Sequence, residues 1–207
     1  MPQGSPLATK TKKAEQAEAT RGALLRAARE LFAAKGFADT STEEIVVASG
    51  ITRGALYYHY RDKEALFAAV FEELEQELVD RVFKAAVRSK DPVERLQLGF
   101  AEFFDACLDP AVQRIVLVEG PSVLGWDLWH EIDCRYMFGL VEAGVRESIE
   151  AGLLREQSTE QLAHLLMGGA CQAALVVARS STPRKARAAA GEALHGLIEG
   201  LRTKRKR

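Results

Sequence analysis

Between Thr52 and Lys63 lies a run of side chains suited to holding an extended anion: Thr52, Arg53, Tyr57, Tyr58, His59 and Lys63, with Gly54 among them. Hydroxyl, imidazole and guanidinium donors grip phosphate oxygens, and the same groups reach base edges in a major groove. Gly54 and Ala55 are small enough to let a backbone approach a groove wall. Lys63 falls in the first turn of the helix expected from residue 63, where free N–H groups and the helix dipole already favour an anion. The competing reading is an exposed Tyr-Tyr-His cluster that merely packs on a small helical bundle.

A second set lies further along. On a helix over 126–151, Trp126, Trp129, Tyr136, Met137, Leu140 and Gly144 fall along one stripe, and Asp133 sits inside it. A carboxylate in an apolar stripe is costly unless paired or partly wet. It either orders the core through an arginine or backbone amide, or serves as the polar handle of an aromatic ligand pocket. Phe71, Phe103, Phe104, Leu117, Met167 and Cys171 are the candidate walls of that pocket, although aromatic and Met residues at this spacing also make plain core. His130 and Cys134 are four apart on one helical face, a spacing that can hold a metal, but no third ligand lies nearby. No metal or cofactor is therefore expected. The sequence has no H-E-x-x-H, no G-x-x-x-x-G-K-[ST] loop and no G-x-S-x-G elbow, and none of Cys107, Cys134 and Cys171 has the surroundings of an activated nucleophile.

These residues need helices to position them, and helix signals recur throughout. Leu24, Ala27, Ala28, Leu31 and Phe32 make one apolar stripe, ended by Gly36. Ser41 with Glu44 makes a capping box, Gly50 permits a sharp turn, Thr52 caps the next helix, and Asp62 caps a long fourth helix. Asp91-Pro92, Asp109-Pro110, Ser158 with Gln161, and Thr182-Pro183 mark later starts. Nine helices are expected, near 14–35, 42–48, 52–59, 63–88, 92–108, 110–118, 126–151, 159–180 and 184–202. No strand pattern is present, so the fold class is all-α. The domains read as a flexible basic arm (1–13), a three-helix helix-turn-helix unit (14–62), a larger helical unit (63–202) and a basic tail (203–207).

Charge agrees with this division. Overall the chain is −1, but residues 1–63 carry 10 Lys/Arg against 7 Asp/Glu, residues 64–201 carry 13 against 22, and residues 202–207 add five cations. A basic head is what local phosphate binding needs, since counterion release depends on the contacting face. Three scattered cysteines suit a reducing compartment. Apolar runs are broken before the length of a membrane span, and no signal-peptide pattern opens the chain, so a cytoplasmic protein without a membrane partner is expected.

The segment Ile51-Thr52-Arg53-Gly54-Ala55-Leu56-Tyr57-Tyr58-His59-Tyr60-Arg61-Asp62-Lys63-Glu64-Ala65-Leu66 closely resembles the signature of the TetR/AcrR family of regulators. Ala33-Ala34-Lys35-Gly36-Phe37 and Thr40-Ser41-Thr42 match the same pattern, and the likeness is specific across about residues 18–70. It departs at Tyr60, where the family often has Phe. The resemblance implies that Thr42, Thr52, Arg53, Gly54, Tyr57, Tyr58, His59 and Lys63 stand where family members touch DNA. It also implies a homodimer through the last two helices, near 159–180 and 184–202, and a ligand in the larger domain that moves the fourth helix. The expected function is a repressor bound as a dimer to a near-palindromic operator in double-stranded DNA and released by a small apolar or aromatic effector. A ligand-binding helical bundle, or an architectural DNA binder without effector control, is the alternative, and an enzyme is not expected.

Overall fold

The computed structural model describes residues 6–203, with side chains from residue 14, and every regular element among them is helical. The elements are α1 (Pro6–Lys35), α2 (Thr42–Ser49), α3 (Arg53–His59), α4 (Lys63–Ala86), α5 (Pro92–Ala106), a π-helical segment (Val112–Glu119), α6 (Gly120–Asp133), a second π-helical segment (Cys134–Phe138), α7 (Gly139–Glu150), α8 (Thr159–Ala178) and α9 (Pro183–Gly200). One isolated antiparallel bridge joins Leu154 to Arg202. The expected flexible arm is helix from Pro6 onward, in an Ala- and Lys-rich stretch of high helix propensity. Residues 1–5 of that arm and most of the expected basic tail, 204–207, lie outside the described residues.

Local signals act as their chemistry dictates. Ser41 accepts from the Glu44 amide while the Glu44 carboxylate accepts from the Ser41 amide, completing the capping box. The Lys35 ammonium, helped by Ser41, holds the Glu44 carboxyl down at about 2. Asp91 Oδ1 accepts from the amides of Val93 and Glu94 at 2.8 and 3.1 Å, and Asp62 Oδ1 from that of Ala65 at 2.7 Å. Thr182 differs: its backbone, at φ −131° and ψ 68°, departs from the extended geometry of the other caps, and its side chain makes no cap bond to α9.

The chain forms two compact units, residues 1–70 and 71–207. The division falls inside α4, eight residues later than the expected 62/63 boundary. Its cause is packing. Leu66 and Phe67 of the first turns of α4 are fully buried, and the Phe67 ring meets Phe32 and Phe37 edge-on, with centroids 5.2 and 5.3 Å away. The first unit closes with Leu24, Ala28, Ile45 and Leu56 in the same core. Tyr60 takes its expected core slot, with its phenol beside the Arg21 guanidinium.

The second unit is a helical bundle whose chain is broken at Gly125, held at φ 73° and ψ 165°, a conformation essentially restricted to glycine. This break divides α6, so the polypeptide runs as one rod over 112–124 and another over 126–150. The two rods correspond to the expected helices near 110–118 and 126–151. By length and composition α8 is apolar enough to cross a membrane, which departs from the expectation that every apolar run is broken before that length; charged residues are few along it, as in the core helix of a bundle. Its buried face carries Leu162, Leu166, Met167, Ala170 and Val177, while Leu165 and Val176 are 74% and 59% exposed.

Candidate functional site

Gly50 builds the first candidate face. It ends α2 in the left-handed conformation, φ 68°, so that α3 leaves at a sharp angle after a three-residue turn. Leu56, fully buried, and Tyr60 anchor α3 from within. The remaining side chains point outward: Tyr58 is 80% exposed, and Thr52, Arg53 and Gly54 are exposed beside it. A side chain added at Gly54 would meet nothing within 4 Å, so the backbone here is open to close approach.

The face is internally braced. Arg53 pairs with Glu43 at 2.9 Å and its guanidinium lies 5.7 Å from the Tyr57 ring centre. The Tyr57 hydroxyl lies 3.4 Å from that of Thr42, bringing the α2 and α3 contributions together. Thr52 accepts from the Ala55 amide at 3.3 Å, and Tyr58 meets His59 edge-on at 5.2 Å. Val47 of α2, 81% exposed, lies on the same helix pair and was not among the residues singled out from the sequence.

Lys63 is engaged differently from the expectation that its free ammonium would meet phosphate. Its Nζ donates to the carbonyls of Phe37 and Thr40, at 2.8 and 2.9 Å, and lies 4.2 Å from the Phe37 ring centre. Two of its three donors thus tie the α1–α2 connection to the start of α4. Lys63→Met should lower stability by about 2 kcal/mol, because two carbonyls lose a charged partner. Urea melts of the two proteins check this, and equal midpoints would show the bonds to be dispensable.

The second candidate site needs correction. The structure does not bring the expected aromatic residues together around a pocket. Trp126 is 67% exposed; its ring lies 5.4 Å from that of Trp129 and stacks on His130 at 5.2 Å and 13°. The Tyr136 hydroxyl donates to Glu72 Oε1 at 2.9 Å, alongside an Arg135–Glu72 ion pair at 2.9 Å. Phe71 and Phe104 are fully packed core, Leu117 is half-buried, and Cys171 feels the charge of the half-buried Asp133 and the buried Glu75. The reason is the π-helical segment at Cys134–Phe138. The buried positions step from Ile132 to Met137, five residues, and this wider turn rotates the later stripe away from the face that carries the tryptophans.

A cavity of about 300 Å³ instead opens among α4, α5 and α7. Phe103, Met137 and Met167 of the expected set line it. The sequence reading missed Val82, Phe83, Val87, Leu96, Gly99 and Phe100, which come from α4, the turn that follows it and α5. Nothing local marks these six, since they become walls only when two helices far apart in sequence pack with α7. Phe83 and Val87 are each about half exposed, so the mouth itself is apolar. Arg95 and Glu147, at its rim, satisfy one another through two bonds of 2.8 and 2.9 Å. No group of three or more potential metal ligands occurs among the described residues.

A short second helix, a sharp glycine turn, a third helix with its polar face outward and a separate bundle containing a cavity define a helix-turn-helix DNA-binding transcription regulator. Comparison with known proteins narrows the class. Residues 24–70 match the family described as bacterial regulatory proteins of the tetR family, and residues 93–201 match the tetracyclin repressor-like C-terminal domain. The chain is similar to the Transposon Tn10 TetC protein of Escherichia coli, 27% identical over 154 residues, covering 74% of this chain and 78% of that one. It is 44% identical over 66 residues to the HTH-type transcriptional regulator AcrR of Shigella flexneri, covering 32% and 30% of the two chains. Among solved structures it resembles a TetR-family transcriptional regulator from Pectobacterium atrosepticum, with TM-score 0.79 and 30% identity over 93% of this chain and 98% of that one. The chain belongs to the TetR family of transcriptional regulators, which are not enzymes.

Proposed function

We propose that this regulator acts as a repressor, that two copies bind the halves of a near-palindromic operator, and that an apolar effector in the α4–α5–α7 cavity releases them. The observation that carries the reading is the outward polar face of α3, anchored from behind by Leu56 and flanked by Arg53 and Tyr58. One seven-residue helix touches only a few base pairs, so a two-fold arrangement is what makes tight, specific binding attainable. Thr42, Thr52, Tyr57, Tyr58 and His59 hold the backbone, Gly54 permits close approach, and Arg53 reaches base edges. Lys63 contributes chiefly by fixing where α4 begins.

The Arg53–Glu43 pair does not oppose this role. Both side chains are about two-thirds exposed, and such a pair contributes little in water, so the guanidinium exchanges Glu43 for a base at small cost. Arg53→Ala should relax specificity at particular base pairs and weaken operator binding by about 1–3 kcal/mol. Tyr58→Ala should weaken binding evenly across sequences. Gel shifts on an operator selected from random DNA, repeated on point-mutated sites, separate the two. Unchanged affinity in both variants would move the DNA face off α3.

Effector control follows from the cavity. A ligand releases DNA only if it binds better to the conformation that cannot span both half-sites. A coupling of about 1–3 kcal/mol is usual, or roughly five- to 150-fold in operator affinity. Filling the cavity with Leu140→Trp should abolish the ligand response while leaving ligand-free operator binding near normal, read by thermal shift and gel shift together. Loss of both would show Leu140 to be ordinary core.

A further inference from the structure

The helices that wall the cavity carry a second, chemically different layer. Val82, Phe103, Met137 and Met167 line the cavity from α4, α5, the second π-helical segment and α8. About one turn from Phe103, Met137 and Met167 along the chain stand Cys107 at the end of α5, Asp133 at the end of α6 and Cys171 in α8, and two turns back from Val82 along α4 stands Glu75. Burial raises all four, and electrostatic coupling adds to it in three of them. Asp133 pushes Glu75 up, Glu75 and Asp133 both push Cys171 up, and Cys171 and Glu75 push Cys107 up. Beneath the apolar cavity, outside the residues that line it, the bundle therefore places two carboxyls and two thiols, Glu75 and Cys107 buried, Asp133 and Cys171 half-buried.

Glu75 is the anomaly. It is 3% exposed, and its Oε2 has no hydrogen-bond partner among the described residues. Burial, reinforced by Asp133, raises its carboxyl to about 8. Asp133 is raised by burial and eased only by His130 and His164; the thiols of Cys107 and Cys171 are raised by burial, with Arg81 acting on Cys107. Arg81 is itself bonded to Glu102, and His164 stacks on Phe138 toward solvent. The layer thus holds two acids without a cation between them. An isolated buried carboxyl lacking a partner is unfavourable, and a positively charged donor is the group that removes the penalty.

Resting on the effector cavity proposed above, we infer that the Glu75–Asp133 layer is the polar end of that site and that the effector is a lipophilic monocation. Its hydrocarbon body fills the space among Val82, Phe100 and Leu140, and its ammonium donates to Glu75 Oε2. Met137 and Met167, unbranched and adaptable, are the floor side chains that swing aside to let the head through. On binding, Glu75 gives up its proton to solvent and becomes the carboxylate partner of the cation. The Arg95–Glu147 pair at the rim is already neutral and offers an anionic ligand no free partner.

The test uses the full-length protein and three probes with one body and three charges: octylammonium, 1-octanol and octanoate. Calorimetry at pH 7 should show octylammonium binding about ten- to a hundredfold more tightly than 1-octanol. Repeating it in buffers of different ionisation enthalpy should show roughly one proton released per octylammonium. Glu75→Gln, close in shape to the protonated acid, should remove both effects and leave 1-octanol binding unchanged, and Asp133→Asn should weaken the preference in the same direction. If 1-octanol binds as tightly as octylammonium, or Glu75→Gln binds octylammonium unchanged, the polar-end inference falls and the cavity reading stands. If octanoate is preferred, Arg95 is the handle and the inference falls. Binding of none of the three overturns the cavity reading and the inference with it.

Discussion

Leu197→Asp is expected to yield a monomer with operator affinity reduced by about a hundredfold or more. Leu197 is 65% exposed on α9, and Leu165 and Val176 stand equally bare on α8. Gly168, Gly169, Gly196 and Gly200 have open space above their backbones, so both helices present a shallow apolar stripe that a second helix pair can approach closely. A helix apolar nearly all round requires cover on more than one side, and α8 is covered on one side only. In the dimer proposed above, two-fold pairing of α8 and α9 with their copies would supply the rest and place each Leu197 in a dry interface. An aspartate there must be desolvated in both protomers. Light scattering should give about twice the 22.7 kDa chain mass for the parent and about that mass for the variant. Tight, salt-resistant operator binding by a proven monomer would sink the dimer reading.

The second large effect is a loss of stability with rising pH that traces to Glu75. An ordinary Glu carboxyl titrates near 4.5, whereas this one is held up at about 8 by burial and by Asp133. Below 4.5 both the folded and unfolded chains keep the proton, and the stabilising contribution of the neutral acid is fully present. Between 4.5 and 8 the unfolded chain ionises and the folded one does not, so unfolding becomes progressively easier. Above 8 the loss is complete, on the order of 3–5 kcal/mol. Urea melts from pH 5 to pH 9 should show this decline in the parent protein and a flatter curve in Glu75→Gln, since Gln has no proton to lose. Parallel curves for the two proteins would mean that the Glu75 carboxyl ionises freely within the fold.

What was legible in the residues was local. The Ser41–Glu44 box, the Gly50 turn, the Thr52 and Asp91 caps and the outward run through Tyr58 each depend on groups within four residues of one another, and the structure has them in place. What depended on distant packing was not legible. Lys63 meets carbonyls 26 and 23 residues back, so its engagement appears only once α1 and α4 are docked. The cavity draws its walls from α4, α5, α7 and α8, and Glu75 reads in sequence as one more polar position on a long amphipathic helix. The stripe through Trp126 and Asp133 failed for a different reason: it assumed an unbroken 3.6-residue period across Cys134–Phe138, where the helix widens.

That widened turn holds one residue more than an ordinary helix would need. Deleting one residue within 134–138 removes the extra member and the extra width together, so the stretches before and after keep their faces. Trp126 and Trp129 then stay on their own side of the rod and Met137 stays buried. Closing the turn with every residue kept would instead rotate one stretch by about 100° against the other and turn a whole wall of the bundle at once. The wall's register thus hangs on a single residue, and a one-codon deletion here is a change in length that the bundle is built to absorb.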